Sequence, residues 1–100
     1  MTVEYEIVRY PFPLGHSHYP RPCVIIDKTT KDMLAISTKK YAKFNSFVLP
    51  QDHPDFPATH LDETSYVIGD TIARADPTAS LHSIGIIKGG LAKEFFKWIG

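Results

Sequence analysis

The sequence predicts a mainly β domain closed by a C-terminal helix, and three observations indicate that class. Short apolar segments recur along the chain, several with a period of two, and turns rich in proline and glycine separate them. The last twelve residues change to a helical period. A chain of 100 residues suffices for one domain, so residues 1–100 are interpreted as a single small, mostly antiparallel barrel or curled sheet under one helix.

The first half of the chain contains three strand patterns. Residues 4–10 (EYEIVRY) alternate between apolar and polar side chains, as a half-buried strand does, and Pro11 and Pro13 end the pattern. Residues 23–27 (CVIID) form a continuous apolar run, which suits a strand buried on both faces. A turn of about five residues then allows residues 33–37 (MLAIS) to pair back as a hairpin.

The second half predicts further strands at residues 45–49, 64–69 and 82–88. Prolines interrupt residues 50–63, which are expected to lack regular structure. In the closing segment GGLAKEFFKWIG, apolar residues recur at the spacing of an amphipathic helix, namely Leu91, Phe95, and Trp98 or Ile99. The glycines that precede this helix are weak N-caps, so packing must supply most of its stability.

The composition argues against several classes of function. Eleven basic and eleven acidic side chains cancel, so bulk electrostatics would not hold a polyanion, although a local basic patch fits these numbers. The single cysteine, Cys23, cannot form an internal disulfide, which indicates a reducing compartment. We find no signal-peptide pattern and no apolar run near the roughly 20 residues of a membrane span, so a cytoplasmic protein without a membrane partner is expected.

The loop GHSHYPRP concentrates side chains that transfer protons or contact phosphate. His16 and His18 form an H-x-H pair, which could hold a metal ion if a third ligand joined it. That ligand could come from Asp52, His53, Asp55 or His60. No spacing motif selects one of them, and two loop histidines are more often solvated, so neither a metal nor a cofactor is predicted.

Arg21 stands between two prolines at the entry to the second strand. A residue before proline avoids the helical region, so Arg21 is expected to be extended and its side chain aimed by its neighbours. A guanidinium presents donors that match two phosphate oxygens at once. The alternative is a structural ion pair with one of three carboxylates, those of Glu6, Asp27 and Asp70.

Hydroxyl and carboxylate side chains stand at the ends of two further predicted strands. Ser37 and Thr38 end the third strand, where a hydroxyl can donate to a phosphate oxygen or cap a local turn. Asp70 follows the strand SYVIG, and carboxylates there are usually solvated. Near His16 and Arg21, however, Asp70 would complete a set of general base, general acid and phosphate clamp.

Aromatic and basic residues cluster in the same segments and suggest single-stranded RNA as the ligand, because loop aromatics stack on unpaired bases. The aromatic residues are Tyr10, Phe12, Tyr19, Tyr41 and Phe44, and the lysines are Lys39, Lys40 and Lys43. His18 and Arg74 are further candidate substrate contacts. The alternative is that the aromatics cover an open barrel end and the lysines are simply solvated.

Taken in order along the chain, these features resemble the PemK/MazF-like toxins of bacterial type II toxin–antitoxin systems. The segments that carry the resemblance are YEIVRYPFPLGHSHYPRPCVII, LAIST, SYVIGDTIARAD and LHSIGIIKGGLAKEF. The resemblance implies an SH3-like barrel of the kind shared by PemK, MazF and the gyrase poison CcdB, usually as a homodimer. It also implies growth inhibition that a cognate antitoxin protein neutralises.

Members of this family are mostly metal-independent endoribonucleases that cut single-stranded RNA, often messenger RNA. In that reaction the ribose 2′-hydroxyl attacks the adjacent phosphate and leaves a cyclic phosphate, which requires a base, an acid and donors for the phosphorane charge. The resemblance implies that Arg21 is the phosphate-stabilising arginine and Asp70 a candidate base. His16 resembles the family's loop histidine. Ser37 aligns with the strand-end threonine, and the neighbouring Thr38 could replace it.

The chain also departs from the family pattern. PemK-type members carry arginines where this chain has Ile68 and Ala73, and Arg74 comes one step late. Arg21 would then be the main cation, with His16 or Arg74 as the acid. Two other hypotheses are a toxin-fold protein without nuclease activity, such as a gyrase poison or an inactive partner-binding paralogue, and a purely structural barrel. Trp98 near the C-terminus suggests the gyrase poison, although Trp98 also falls on the apolar face of the helix.

Overall fold

Residues 3–12, 20–40 and 44–100 are described by a computed structural model of the chain. Within these ranges the fold is one six-stranded antiparallel sheet with a C-terminal helix. In chain order the elements are β1 (Tyr5–Tyr10), β2 (Arg21–Asp27), β3 (Asp32–Ser37), β4 (Ser46–Leu49), β5 (Ser65–Arg74), β6 (Ser83–Ile87) and α1 (Gly89–Ile99). The predicted class, mainly β with a C-terminal helix, is confirmed.

The sheet has the strand order β4-β5-β3-β2-β1-β6, and strand alternation gives it two distinct faces. On the helix face, side chains such as Val24 and Leu34 pack with Leu91 and Phe95 of α1 in the larger core. On the opposite face, Cys23 and its neighbours form a smaller core. The residues of the smaller core are Val8, Phe12, Cys23, Ile25, Met33, Ala35 and Ala75.

Strand β5 is longer than its sequence pattern predicted. The expectation that it ends at Gly69 is wrong, because Ile72, Ala73 and Arg74 continue the pairing with β3. The register between β3 and β5 shifts in the middle of the strand, and residues 70–72 are exposed. Asp70 and Thr71 are consecutive polar residues that interrupt the apolar alternation of a strand, and pairing with β3 maintains the extended backbone beyond them.

The sequence predicts no regular structure in the proline-rich segment 50–63, and that prediction is wrong for Phe56–Thr59, which form a 3₁₀ helix. Pro57 suits the start of this helix because its missing N–H would have had no helical partner. The Thr59 hydroxyl is buried and donates to the Phe56 carbonyl oxygen at 2.6 Å. The helix contacts β6 and positions the residues that follow it.

Helix α1 begins without a capping side chain of its own, as its leading glycines predicted. Asp55, the residue just before the 3₁₀ helix, lies against the start of α1, and its Oδ2 accepts a long hydrogen bond of 3.5 Å from the Leu91 amide. Gly89 has φ +61°, and a Cβ there would lie 2.6 Å from Asp55 Oδ2. A glycine at this position therefore permits both the backbone turn and the approach of the carboxylate.

Candidate functional site

Four polar and aromatic side chains lie in line across one end of the sheet. Tyr10 of β1 pairs with Arg21 of β2, and Ser37 of β3 pairs with Tyr66 of β5. Because these strands are neighbours in the order β5-β3-β2-β1, the four residues follow one another on adjacent strands. We call Tyr10, Arg21, Ser37 and Tyr66 the end row.

The register between β2 and β3 supports this alignment. Cys23 pairs with Ala35, and each is two residues from the end row, at Arg21 and Ser37 respectively. Because side chains alternate along a strand, Arg21 shares the face of Cys23, and Ser37 shares the face of Ala35. The structure therefore brings the predicted arginine and serine to the same end and the same face of the sheet.

The side chains of the end row are half-buried, which limits their motion while leaving them accessible. The Tyr10 hydroxyl accepts a hydrogen bond from the Asp76 amide at 3.2 Å, which anchors its ring. The Ser37 Oγ accepts a hydrogen bond from the Lys39 amide at 3.0 Å, so it caps the local turn. The hydroxyl proton of Ser37 can still be donated to a ligand.

Basic side chains lie close to the end row in the chain. Lys39 and Lys40 directly follow the serine–threonine pair, and both are exposed. Arg9 is also exposed and pairs with Pro22, which precedes Cys23 in β2. Exposed cations thus lie close to the end row in the chain, and they would attract an anionic ligand over a short range.

A cleft of about 340 Å³ opens beside the end row, on the helix face. Its apolar part comes from Ile36, Leu61 and Ile84 together with Pro22. Its polar lining comes from seven residues: Arg9, Ser37, Thr38, His60, Asp62, Glu63 and Ser65. Ser37, the last residue of β3, lines the cleft and also belongs to the end row, and Thr38, which follows the strand, lines the cleft beside it.

His60 and Arg9 are cleft residues whose position the sequence did not reveal. The sequence indicates His60 only as a candidate third metal ligand and Arg9 only as part of a strand. His60 ends the 3₁₀ helix in the left-handed region, with φ 57°, which histidine adopts more readily than most side chains. The left-handed backbone and the exposed imidazole at the cleft are visible only once the segment packs against β6.

Asp70 is not brought together with Arg21. Its Oδ1 accepts a hydrogen bond of 2.9 Å from the Asn45 amide, on the side of β5 that faces β4. Strand β3 lies between β5 and β2, and Asp70 is four residues beyond Tyr66 in the irregular part of β5. The carboxylate thus has a role in joining β4 to β5.

Arg74 lies at the opposite end of the sheet from the end row. Its Nε donates to Asp32 Oδ1 at 2.9 Å, and Asp32 pairs with Asp27, which ends β2. The start and end of β2 are six residues apart, or roughly 20 Å in an extended strand. Arg74 is therefore too far from Arg21 to contact the same phosphate group.

Arg74→Met should lower the melting temperature by about 2 °C or less at neutral pH, because exposed ion pairs stabilise proteins little. The hydrogen bond from Arg74 holds the pKa of Asp32 below its usual 3.8. Asp32 therefore contributes stability above pH 3.8, and this contribution is lost as the pH falls through the folded-state pKa. Thermal unfolding at about pH 7 and about pH 2 would measure the difference.

Lys93→Met is the control for this comparison, because Lys93 is exposed on α1 and has no part in the pair. Its melting temperature should follow that of the wild type at both pH values. If Arg74→Met lowered the melting temperature as much in acid as at neutral pH, the Arg74 side chain would act through packing rather than charge.

Several predicted site residues lie outside the described ranges. They are His16, His18 and Tyr19 of the histidine-containing loop, and Tyr41 and Lys43 after β3. Their roles stay predictions from the sequence.

Two described residues are explained by packing. Burial raises the pKa of the Cys23 thiol to about 12, and its Sγ lies 3.3 Å from the Arg21 carbonyl oxygen, so the thiol is protonated at neutral pH. Trp98 packs against Phe47 and Phe95, with ring centroids 5.6 and 5.7 Å away. Its indole also occupies the space beside Gly69. Core packing therefore accounts for the position of Trp98 on the apolar face of α1.

Comparison of the chain with protein-family models, curated proteins and solved structures found no match. In the part of the chain that the structure describes, no three histidine, cysteine or acidic side chains are grouped so that they could hold a metal ion. The helices of the same described ranges are too short or too polar to cross a membrane.

Proposed function

We propose that this protein is a metal-independent endoribonuclease toxin that cleaves single-stranded RNA and is neutralised by a cognate antitoxin. The end row carries the proposal, because it places a guanidinium and a hydroxyl side by side between two tyrosines. The order of sequence motifs supports the toxin class, the antitoxin partner and a homodimeric state.

The middle of the end row has the chemistry to bind a phosphate. As the 2′-hydroxyl attacks, negative charge grows on the non-bridging oxygens of the phosphorane. Arg21 can donate two hydrogen bonds to those oxygens, and the Ser37 hydroxyl can donate a third. Asp70 does not lie beside Arg21, because its carboxylate accepts a hydrogen bond from the Asn45 amide. We therefore propose His16 as the proton-transfer group, on the basis of the family resemblance.

The two ends of the end row are suited to bases. Tyr10 and Tyr66 are separated by three strand spacings, or roughly 14 Å, which two or three nucleotides of an extended RNA can span. Stacking on an aromatic ring contributes about 1–3 kcal/mol per base without requiring a particular sequence. A strand of RNA lying across the row would therefore place one phosphate near Arg21 while its neighbouring bases stack.

Arg21→Ala should reduce kcat/KM for a short fluorogenic single-stranded RNA by about 100-fold to 1,000-fold, the usual cost of losing one transition-state donor. The assay would contain EDTA, and mass spectrometry should find a 2′,3′-cyclic phosphate on the upstream product. Ser37→Ala should have a smaller effect in the same direction. Expression of the wild type, but not of Arg21→Ala, should arrest bacterial growth.

Lys28→Ala is the matched control, since Lys28 is a cation in the turn at the far end of β2 and pairs only weakly with Glu6 at 3.9 Å. It should cleave as the wild type does. Undiminished cleavage by folded Arg21→Ala, or cleavage only with added metal, would disprove the proposed mechanism. Growth arrest with gyrase cleavage complexes and intact RNA would favour the gyrase-poison hypothesis instead.

A further inference from the structure

The cleft beside the end row has a different character from the row itself. Ile36 is 3% exposed and forms an apolar wall with the half-buried Leu61 and Ile84. Apolar walls of this kind suit the face of a flat ring. At about 340 Å³, the cleft lies at the small end of the roughly 300–1,000 Å³ range of small-ligand sites, which suits a single nucleoside.

The rim of the cleft has hydrogen-bonding groups of both signs. Asp62 and Glu63 are exposed acceptors in the segment before β5, and Arg9 is an exposed cation on β1. Within residues 3–12, 20–40 and 44–100, no ion pair within 4 Å engages the guanidinium of Arg9 or either carboxylate. Among the described residues, these groups can therefore serve a ligand that presents hydrogen-bond donors at one end and a negative charge at the other.

A carboxylate distinguishes among the four RNA bases. Guanine presents two adjacent donors, N1–H and the N2 amino group, which match the two oxygens of one carboxylate. Adenine and cytosine present one amino donor next to an acceptor nitrogen, which a second carboxylate oxygen would repel. Uracil presents one N–H between two carbonyl groups, so it offers the carboxylate no pair of donors.

From this geometry we infer that the cleft binds a guanine base of the RNA, next to the phosphate held by the end row. A carboxylate of Asp62 or Glu63 accepts the two guanine donors, and Arg9 contacts a flanking phosphate. The two sites lie on opposite faces of the sheet and meet at the end of β3, where Ser37 belongs to the row and also lines the cleft. This inference rests on the proposed function and adds a base preference to it.

The test begins with nucleotide binding, which does not depend on cleavage. ¹⁵N-labelled wild-type protein would be titrated with GMP, IMP and AMP, and amide shifts would be mapped on the structure. GMP should perturb the cleft residues and bind at least about tenfold more tightly than IMP, which lacks the N2 amino group. The double variant Asp62→Asn/Glu63→Gln should lose the preference for GMP over IMP.

Glu94→Gln, which neutralises an exposed carboxylate on α1 outside the cleft, is the control and should retain the preference for GMP. Equal affinities for GMP and IMP, shifts confined to the end row, or no binding below about 10 mM would overturn the inference. So would a preference for GMP that survives in the double variant.

A second arm separates this inference from the nuclease proposal. The wild type would be given single-stranded RNAs that contain one guanosine or none, and cleavage should require the guanosine. Cleavage that depends on Arg21 but not on guanosine would refute the guanine cleft and leave the nuclease proposal intact. Selective GMP binding in the cleft without any RNA cleavage would support the cleft and refute the nuclease.

Discussion

Gly85→Ala should destabilise the protein by about 3 kcal/mol or more, enough to leave a domain of this size largely unfolded on mild heating. Gly85 lies in β6, where the 3₁₀ helix crosses it, and a Cβ there would overlap the carbonyl group of Thr59. Thr59 cannot move away easily, because it is fully buried and its hydroxyl oxygen also accepts from the Leu61 amide at 3.2 Å. The free energy of unfolding from urea titration is the measurement.

Gly90→Ala is the matched control for that substitution. Gly90 lies in the first turn of α1, and the nearest atom to a Cβ there is Asp55 Oδ2 at 3.8 Å, an ordinary contact. Alanine is the better helix former, so this variant should be as stable as the wild type or slightly more stable. Similar unfolding midpoints for both alanine variants would show that β6 and the 3₁₀ helix can separate without cost.

The loss of Gly85 should also disturb the cleft. The close approach of the 3₁₀ helix to β6 positions His60 and Leu61, which line the cleft. A Gly85→Ala protein that remains folded should therefore lose GMP binding in the cleft while the end row keeps its structure. Amide shifts of the residual folded protein would report both changes.

Phe95→Ala is the second large effect, with an expected loss of about 3–5 kcal/mol in the free energy of unfolding. Phe95 is fully buried, and its ring meets Tyr5 edge-on at 4.8 Å and Phe47 at 5.3 Å. Removing the ring deletes its apolar contacts to β1 and β4 and leaves a cavity that the sheet cannot close. Urea unfolding followed by far-UV circular dichroism would measure this loss.

Phe96→Ala on the same helix provides the control, because the Phe96 side chain is 55% exposed. The same chemical change there should alter the free energy of unfolding by about 0.5 kcal/mol or less. A loss for Phe95→Ala no larger than the loss for Phe96→Ala would mean that α1 is not docked on the sheet as described.

Sequence patterns located most of the strands because burial on one face produces a period of two, as in residues 4–10. They failed for the second half of β5, where residues 70–72 are exposed and the strand exists only because β3 pairs with it. They also failed for the 3₁₀ helix, which is stabilised by its contact with β6 rather than by its proline-rich composition.

The candidate site shows the same division. The sequence identified Arg21 and Ser37 as residues of a type that contacts phosphate. It could not show that Tyr10 and Tyr66 flank them, because the order of the four residues across the sheet depends on which strands are neighbours. The predicted set also contained Arg74, which the register assigns to the far end of the sheet, and Asp70, which bonds to Asn45.

By itself, the sequence determined the fold class, the positions of most strands, the apolar face of the closing helix and the chemical types available at the strand ends. These properties follow from local periodicity and turn chemistry, which each segment encodes on its own. Only the tertiary structure decided that the end row and the cleft adjoin at Ser37, and that Arg9 and His60 belong to the cleft. Such proximity arises from pairing between residues far apart in the chain, and the packing of the whole domain determines that pairing.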